Sequence, residues 1–228
     1  MLHIVTPLYR YDLMEKVYQS IPKHTDITWH IAKSSRREKL THAFLAFDQR
    51  IKLYEIDCAD NDMVTKRNVV FSKIKDGYFY LLDDDTVFLD SLYLVYQEFS
   101  RTNFIGMIIG HSNLLKACSP ILKAVQPRFD TGMVLSHSSV LREVTWDWHP
   151  TLPRDFYFWS RCYAYFGKDA TVLIDRIISQ YNYFGALYKI RKRVLFFDIE
   201  YKIHNVTIAK IYFLLADIKY LVKKYLNI

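Results

Sequence analysis

The sequence has little punctuation, with only six glycines and six prolines in 228 residues. That scarcity argues against a disordered linker, and against an all-β sandwich whose short strands need frequent turn residues. Cysteine is equally sparse. Cys58, Cys118 and Cys162 lie far apart in no metal-like spacing, and an odd, scattered set fits a reducing compartment better than a disulfide framework. No run approaches the roughly 18 apolar residues of a membrane span, so none is expected. Internal repeats and low-complexity segments are missing too. The first residues, Met1-Leu2-His3-Ile4-Val5, open directly on a strand pattern with no basic segment, h-region or cleavage site. These absences together predict a cytoplasmic protein.

What is abundant is apolar and aromatic. Hydrophobic residues make up 51% of the chain, including 18 Tyr and 15 Phe, and charged residues 24%, enough for a sizeable core and a solvated surface. One globular domain is expected. The net charge of +7 suits three kinds of partner: nucleic acid, an anionic membrane surface or a phosphate-bearing substrate. The basic residues are dispersed apart from clusters at 33–39, 189–193 and 219–224, which is the pattern of a solvated surface more than of a nucleic-acid stripe.

Strand-like and helix-like segments alternate through the first half. Residues 3–6 read as a short buried strand ended by Pro7. In 11–21, Leu13, Val17 and Ile21 recur at helical spacing. Residues 28–32 and 51–56 are the next strand candidates. Asn61 and Asp62 offer caps for a helix that carries Val64, Phe71 and Ile74 and stops before Gly77. Residues 78–82 are then five large apolar or aromatic side chains in a row, as in a central strand covered on both faces. This order predicts an α/β fold with a mostly parallel sheet, helices on both faces, and ligands bound beyond the carboxyl ends of the strands. The second half is less regular: strands are expected over 105–109 and 133–135, a helix over 155–166, and an amphipathic helix over 208–226.

Three aspartates, Asp83, Asp84 and Asp85, follow the central strand directly. Adjacent carboxylates repel one another, and a divalent cation offsets that repulsion. Mg²⁺ commonly takes one or two carboxylates together with substrate phosphates. The plainer alternative is an acidic turn capping the helix that begins near Ser91.

With these residues in view, the sequence resembles the GT-A glycosyltransferases, closest in flavour to family 2 and to the glucuronyltransferase-type family 43. Four segments carry the likeness: Ile4-Val5-Thr6-Pro7-Leu8-Tyr9-Arg10, Lys66-Arg67-Asn68, residues 78–86 with an Asp-x-Asp motif, and Phe129-Asp130-Thr131-Gly132-Met133. The resemblance implies a single GT-A domain with a nucleotide-binding half over 1–100, an acceptor half over 101–204 that carries a smaller sheet, and a terminal helix over 205–228. It implies a nucleotide-sugar donor, most readily a UDP-sugar, a Mn²⁺ or Mg²⁺ cofactor and a carbohydrate acceptor. Asp83 would bind ribose and metal, Asp85 the metal, and Asp84 ribose or the groups around it. Thr6, Pro7, Tyr9 and Arg10 would line the base pocket, with Arg67 positioning the nucleotide. The family often places acidic residues at the end of the second strand. Here that stretch is Ala32-Lys33-Ser34-Ser35, a departure that bears on how the base is read.

An inverting transfer also needs a general base. Asp155 falls where the resemblance puts the catalytic carboxylate, although an acid at a helix start also answers the helix dipole. Asp130 is the second candidate. His204 matches a late histidine that completes the metal or diphosphate shell in several such enzymes. The helix over 208–226 suits core packing or peripheral membrane contact. A nucleotidyltransferase is the enzymatic rival, but the turn after the first strand lacks its glycine-rich loop. A non-catalytic basic module binding membrane or nucleic acid is the rival of another class.

Overall fold

The first strand is apolar on both faces, and this shapes the whole sheet. In β1 (Leu2–Pro7), Leu2 and Ile4 join one buried cluster while Val5 joins a second on the opposite side. Strands buried on both faces need helices above and below them, the usual condition for a parallel sheet. β2 (Ile27–Ser34), β3 (Ile51–Ile56) and β4 (Tyr78–Leu81) pair in the order β3-β2-β1-β4, all parallel. One face is covered by α1 (Met14–Ser20) and α4 (Asp90–Arg101), the other by α3 (Met63–Phe71) and α5 (Arg154–Phe166); α2 (Phe44–Phe47) is a single turn.

Three further strands complete the sheet: β5 (Met107–Ser112), β6 (Val134–His137) and β7 (Thr171–Ser179), giving the order β3-β2-β1-β4-β6-β5-β7. Only β6 runs against its neighbours, so the α/β, mostly parallel expectation holds with one reversed strand. The computed structural model describes residues 1–113, 131–149 and 154–180, together with an antiparallel pair, β8 (Lys189–Val194) and β9 (Phe197–Lys202). The chain divides into two compact units, Met1–Phe184 and Gly185–Ile228, and the seven-stranded sheet belongs to the first. The amphipathic segment 208–226 lies outside the described residues. Among those described, no helix is long and apolar enough to cross a membrane.

Local chemistry sets the boundaries. Asp62 caps α3, accepting from the Thr65 N–H at 3.0 Å and from its hydroxyl at 2.6 Å, and these bonds hold its carboxyl below the usual range. Ile74 falls beyond the end of that helix. Gly77 enters β4 with φ +96°, where an added Cβ would come 2.4 Å from the Met1 carbonyl oxygen, so only glycine fits this approach. The expected helix over 11–21 begins instead as a 3₁₀ turn, Tyr11–Leu13, before α1.

On the α3 side of the sheet, β1 and β2 share a polar chain. His3 Nε2 lies 2.9 Å from the Asp76 carbonyl, which can only accept, so in a neutral His3 the Nδ1 accepts a hydrogen bond from His30 Nε2–H at 2.9 Å. His30 Nδ1 then accepts from the Tyr54 hydroxyl at 3.0 Å. With both imidazoles neutral, each of these groups has a partner. Burial, with His3 and Lys52 adding to it, pulls the His30 pKa down to about 3, and burial lowers that of His3 as well. Protons therefore bind the unfolded chain more readily below its ordinary pKa of 6.5. Stability is fully present above that pH and is lost progressively as pH falls toward about 3. Urea denaturation between pH 7.5 and 4 should show this decline, and His30→Gln should flatten it; an unchanged slope would remove the network from the account.

Candidate active site

β1 and β4 are adjacent and parallel, so their carboxyl ends deliver Pro7–Arg10 and Asp83–Asp85 side by side. Asp84 is 4% exposed and receives three hydrogen bonds: the Tyr9 N–H at 2.5 Å, the Arg10 N–H at 2.6 Å and the Arg10 guanidinium at 2.7 Å. From the other side, Lys66 on α3, fully buried, donates to the Leu8 carbonyl at 2.6 Å and to the Asp60 carbonyl. Burial lowers the Lys66 pKa, and the Asp60 carboxylate 3.6 Å away works against that. The Leu8–Arg10 turn is thus gripped between a buried cation and a buried anion, with its polar groups matched to partners.

The flanking aspartates face different neighbours. Asp85, 13% exposed, meets the Arg10 guanidinium at 3.0 Å. Burial raises its carboxyl above the ordinary carboxylate value, against the pull of Arg10. Asp83, 36% exposed, meets Arg67 at 3.3 Å. Arg67 is itself buried on α3, with its guanidinium 4.1 Å from the centre of the Trp146 ring and 4.0 Å from Asp155. Asp155 sits in the first turn of α5 and accepts a hydrogen bond from the Thr131 hydroxyl just before β6. Asn68 fixes the Trp146 backbone in both directions, donating to its carbonyl at 2.8 Å and accepting from its N–H at 2.7 Å.

Of the residues expected from sequence, six form two ion-pair groups, Arg10 with Asp84 and Asp85, and Arg67 with Asp83 and Asp155, which adjoin through the consecutive aspartates. Tyr9 adjoins the first group, 45% exposed. Pro7 is buried at the end of β1, and Thr6 is buried beneath it, accepting from Trp29 Nε1 at 2.9 Å. Asp130 and His204 lie outside the described residues. At the end of β2, Lys33 is not a surface charge: it is 1% exposed, donates to the carbonyls of Ser34, Arg37 and Glu38 at 3.3–3.4 Å, and pairs with Glu55 at 3.1 Å. A lysine therefore shapes the loop where acids were looked for. Trp146 and the clamping role of Lys66 went unread, since each acts through partners dozens of residues away in the chain.

Among the described residues, no three His, Cys, Asp or Glu side chains group to hold a metal ion. A dedicated protein cage is therefore not what these residues build. Asp85 does fit an oxygen-preferring cation shared with phosphate: it is a hard donor, largely withdrawn from water, and among the described residues its cation partner is the Arg10 guanidinium, which it shares with Asp84.

No family model matches the sequence, and no curated protein matches it either. Solved structures do share the fold. S. aureus TarS 1–349 in complex with UDP-GlcNAc superposes with a TM-score of 0.59 at 11% identity, over 78% of this chain and 57% of that one. The mannosyltransferase PcManGT from Pyrobaculum calidifontis, in complex with GDP-Man and Mn²⁺, gives a TM-score of 0.57 at 9% identity, over 79% and 56%. This chain thus spans a little over half the length of those two chains.

The turn geometry separates neighbouring aspartates experimentally. Asp84→Ala should cost about 3 kcal/mol of stability, because it strands two amides and a guanidinium that it now satisfies. Asp85→Ala, whose carboxylate is raised by burial, should leave stability within about 1 kcal/mol. Equal losses in paired urea titrations would contradict the division of roles.

Proposed function

We propose that this chain is a glycosyltransferase that moves a sugar from a nucleotide-sugar donor, most readily a UDP-sugar, to a carbohydrate hydroxyl. The observation carrying this reading is the convergence of Asp83, Asp85, Arg10, Arg67 and Asp155 at the carboxyl end of β4. In this reading they supply acids for a cation and for ribose, basic groups for phosphate and a separate carboxylate for the acceptor. The ligands named for the two structural neighbours, UDP-GlcNAc in one and GDP-Man with Mn²⁺ in the other, support the same chemistry.

In this reading Asp85 would hold Mn²⁺ or Mg²⁺, and Asp83 would serve the ribose and the cation. When bound, that cation supplies neutralising charge for the departing diphosphate. Arg10 is released from Asp85 and turns to phosphate, while Asp84 retains it close by. The exposed ring of Tyr9 offers the base a stacking surface. In an inverting transfer, Asp155 takes the proton from the acceptor hydroxyl, oriented by the hydrogen bond it accepts from Thr131. Asp130 as an alternative base and His204 as a further ligand belong to the proposal, as do a cytoplasmic location and peripheral membrane contact through residues 208–226.

A thermal-shift panel of UDP-, GDP- and CMP-sugars, each with and without Mn²⁺, tests the donor half. Stabilisation by one nucleotide only when the metal is present is the expected result. Asp85→Ala should abolish that dependence with the fold intact; full activity in this variant, or in excess chelator, would sink the metal role. Asp155→Asn should keep nucleotide affinity within about tenfold while removing transfer, and unchanged transfer would move the base elsewhere.

A further inference from the structure

Among the described residues, Arg67 is the one buried guanidinium, and it lies between Asp83 and Asp155. Its Nη2 meets Asp83 at 3.3 Å, and its Nη1 stands 4.0 Å from Asp155. Its Nε is buried without a hydrogen-bond partner. Two carboxylates therefore share opposite prongs of one fork, and neither contact is at the short distance of a fully formed charged hydrogen bond. The support underneath is the face of Trp146, 4.1 Å away, which attracts a cation but fixes no in-plane angle. Asn68, the next residue on α3, holds the Trp146 backbone through two hydrogen bonds and so fixes the height of that platform. The ring supports the plane of the fork, and within that plane the guanidinium lies between the two carboxylates, nearer to Asp83.

We propose that Arg67 is a positioning residue linking the donor carboxylate Asp83 to the acceptor carboxylate Asp155, with the Trp146 face as its bearing. Occupation of Asp83 by the donor turns the guanidinium toward Asp155, so that the acceptor side responds to donor capture. This goes beyond a nucleotide contact for Arg67, and it rests on the transferase reading for what Asp83 and Asp155 bind.

The linkage has a signature that needs no ligand. Asp83→Asn leaves Arg67 with Asp155, and Asp155→Asn leaves it with Asp83. The double variant strands a buried cation over an indole ring. Urea denaturation should give the double variant an unfolding constant at least about fivefold larger than the two single effects combined predict. In an Arg67→Met background the same two substitutions should combine additively. If the double variant fails to fold while the triple variant with Arg67→Met folds, the isolated guanidinium is the cause and the linkage stands. Additive effects with Arg67 present, or failure of both to fold, overturn it.

The second arm tests communication. Removing the Asp155 charge should draw Arg67 onto Asp83 and weaken calorimetric binding of UDP with Mn²⁺ by about threefold, with no change when residue 67 is Met. Unchanged UDP affinity on Asp155→Asn overturns the communication while leaving the transferase reading intact. If the unmodified protein binds neither UDP nor GDP while the stability cycle remains non-additive, the transferase reading falls, and Arg67 is a structural strut alone.

Discussion

The Leu8–Arg10 turn is held by opposite buried charges, and the candidate site depends on that grip. Lys66 takes the Leu8 carbonyl from below, while Asp84 takes the next two amides and the Arg10 side chain. Each charge alone would be expensive to bury, and each is tolerated because backbone dipoles and an opposite charge surround it. Because Lys66 belongs to α3 and Asp84 follows β4, the clamp ties the carboxyl ends of the adjacent strands β1 and β4 to α3 at one point. Arg10 is carried by that point to Asp85, and Arg67, one residue beyond Lys66, is carried to Asp83.

Much of the fold was legible because its signals are local. The five-residue apolar run before Asp83, the Asp62 cap and the glycine before Tyr78 each report a backbone requirement readable within a few residues. The direction of β6 was not legible: a four-residue buried strand pairs equally well either way until its connections are known. The site divides along the same line. Asp83 and Asp85 could be separated from Asp84 only in outline, because the decisive partners, Tyr9 and Arg10, lie 74–75 residues away. Lys33 misled for the complementary reason. In a run with Arg36, Arg37 and Lys39 it has the composition of a surface patch, and only the carbonyls folding back over it reveal a buried ammonium.

A fold held in common at 9–11% identity is a statement about sheet order and helix placement. It does not carry a substrate with it, since one scaffold hosts many chemistries. The residue-level case therefore stands on the linked charges at the end of β4, and on the way each is pinned from outside the motif.

The pairing of Asn68 with the Trp146 backbone spans 78 residues of chain, and the Thr131–Asp155 contact a further 24. Contacts so distant in sequence reward the chain only after the intervening loops have closed, and that closure is slow. A nascent chain can therefore zip β1, β2 and β3 around α1 while the two sides of the candidate site are still apart. In such a molecule the site is assembled after most of the sheet that carries it.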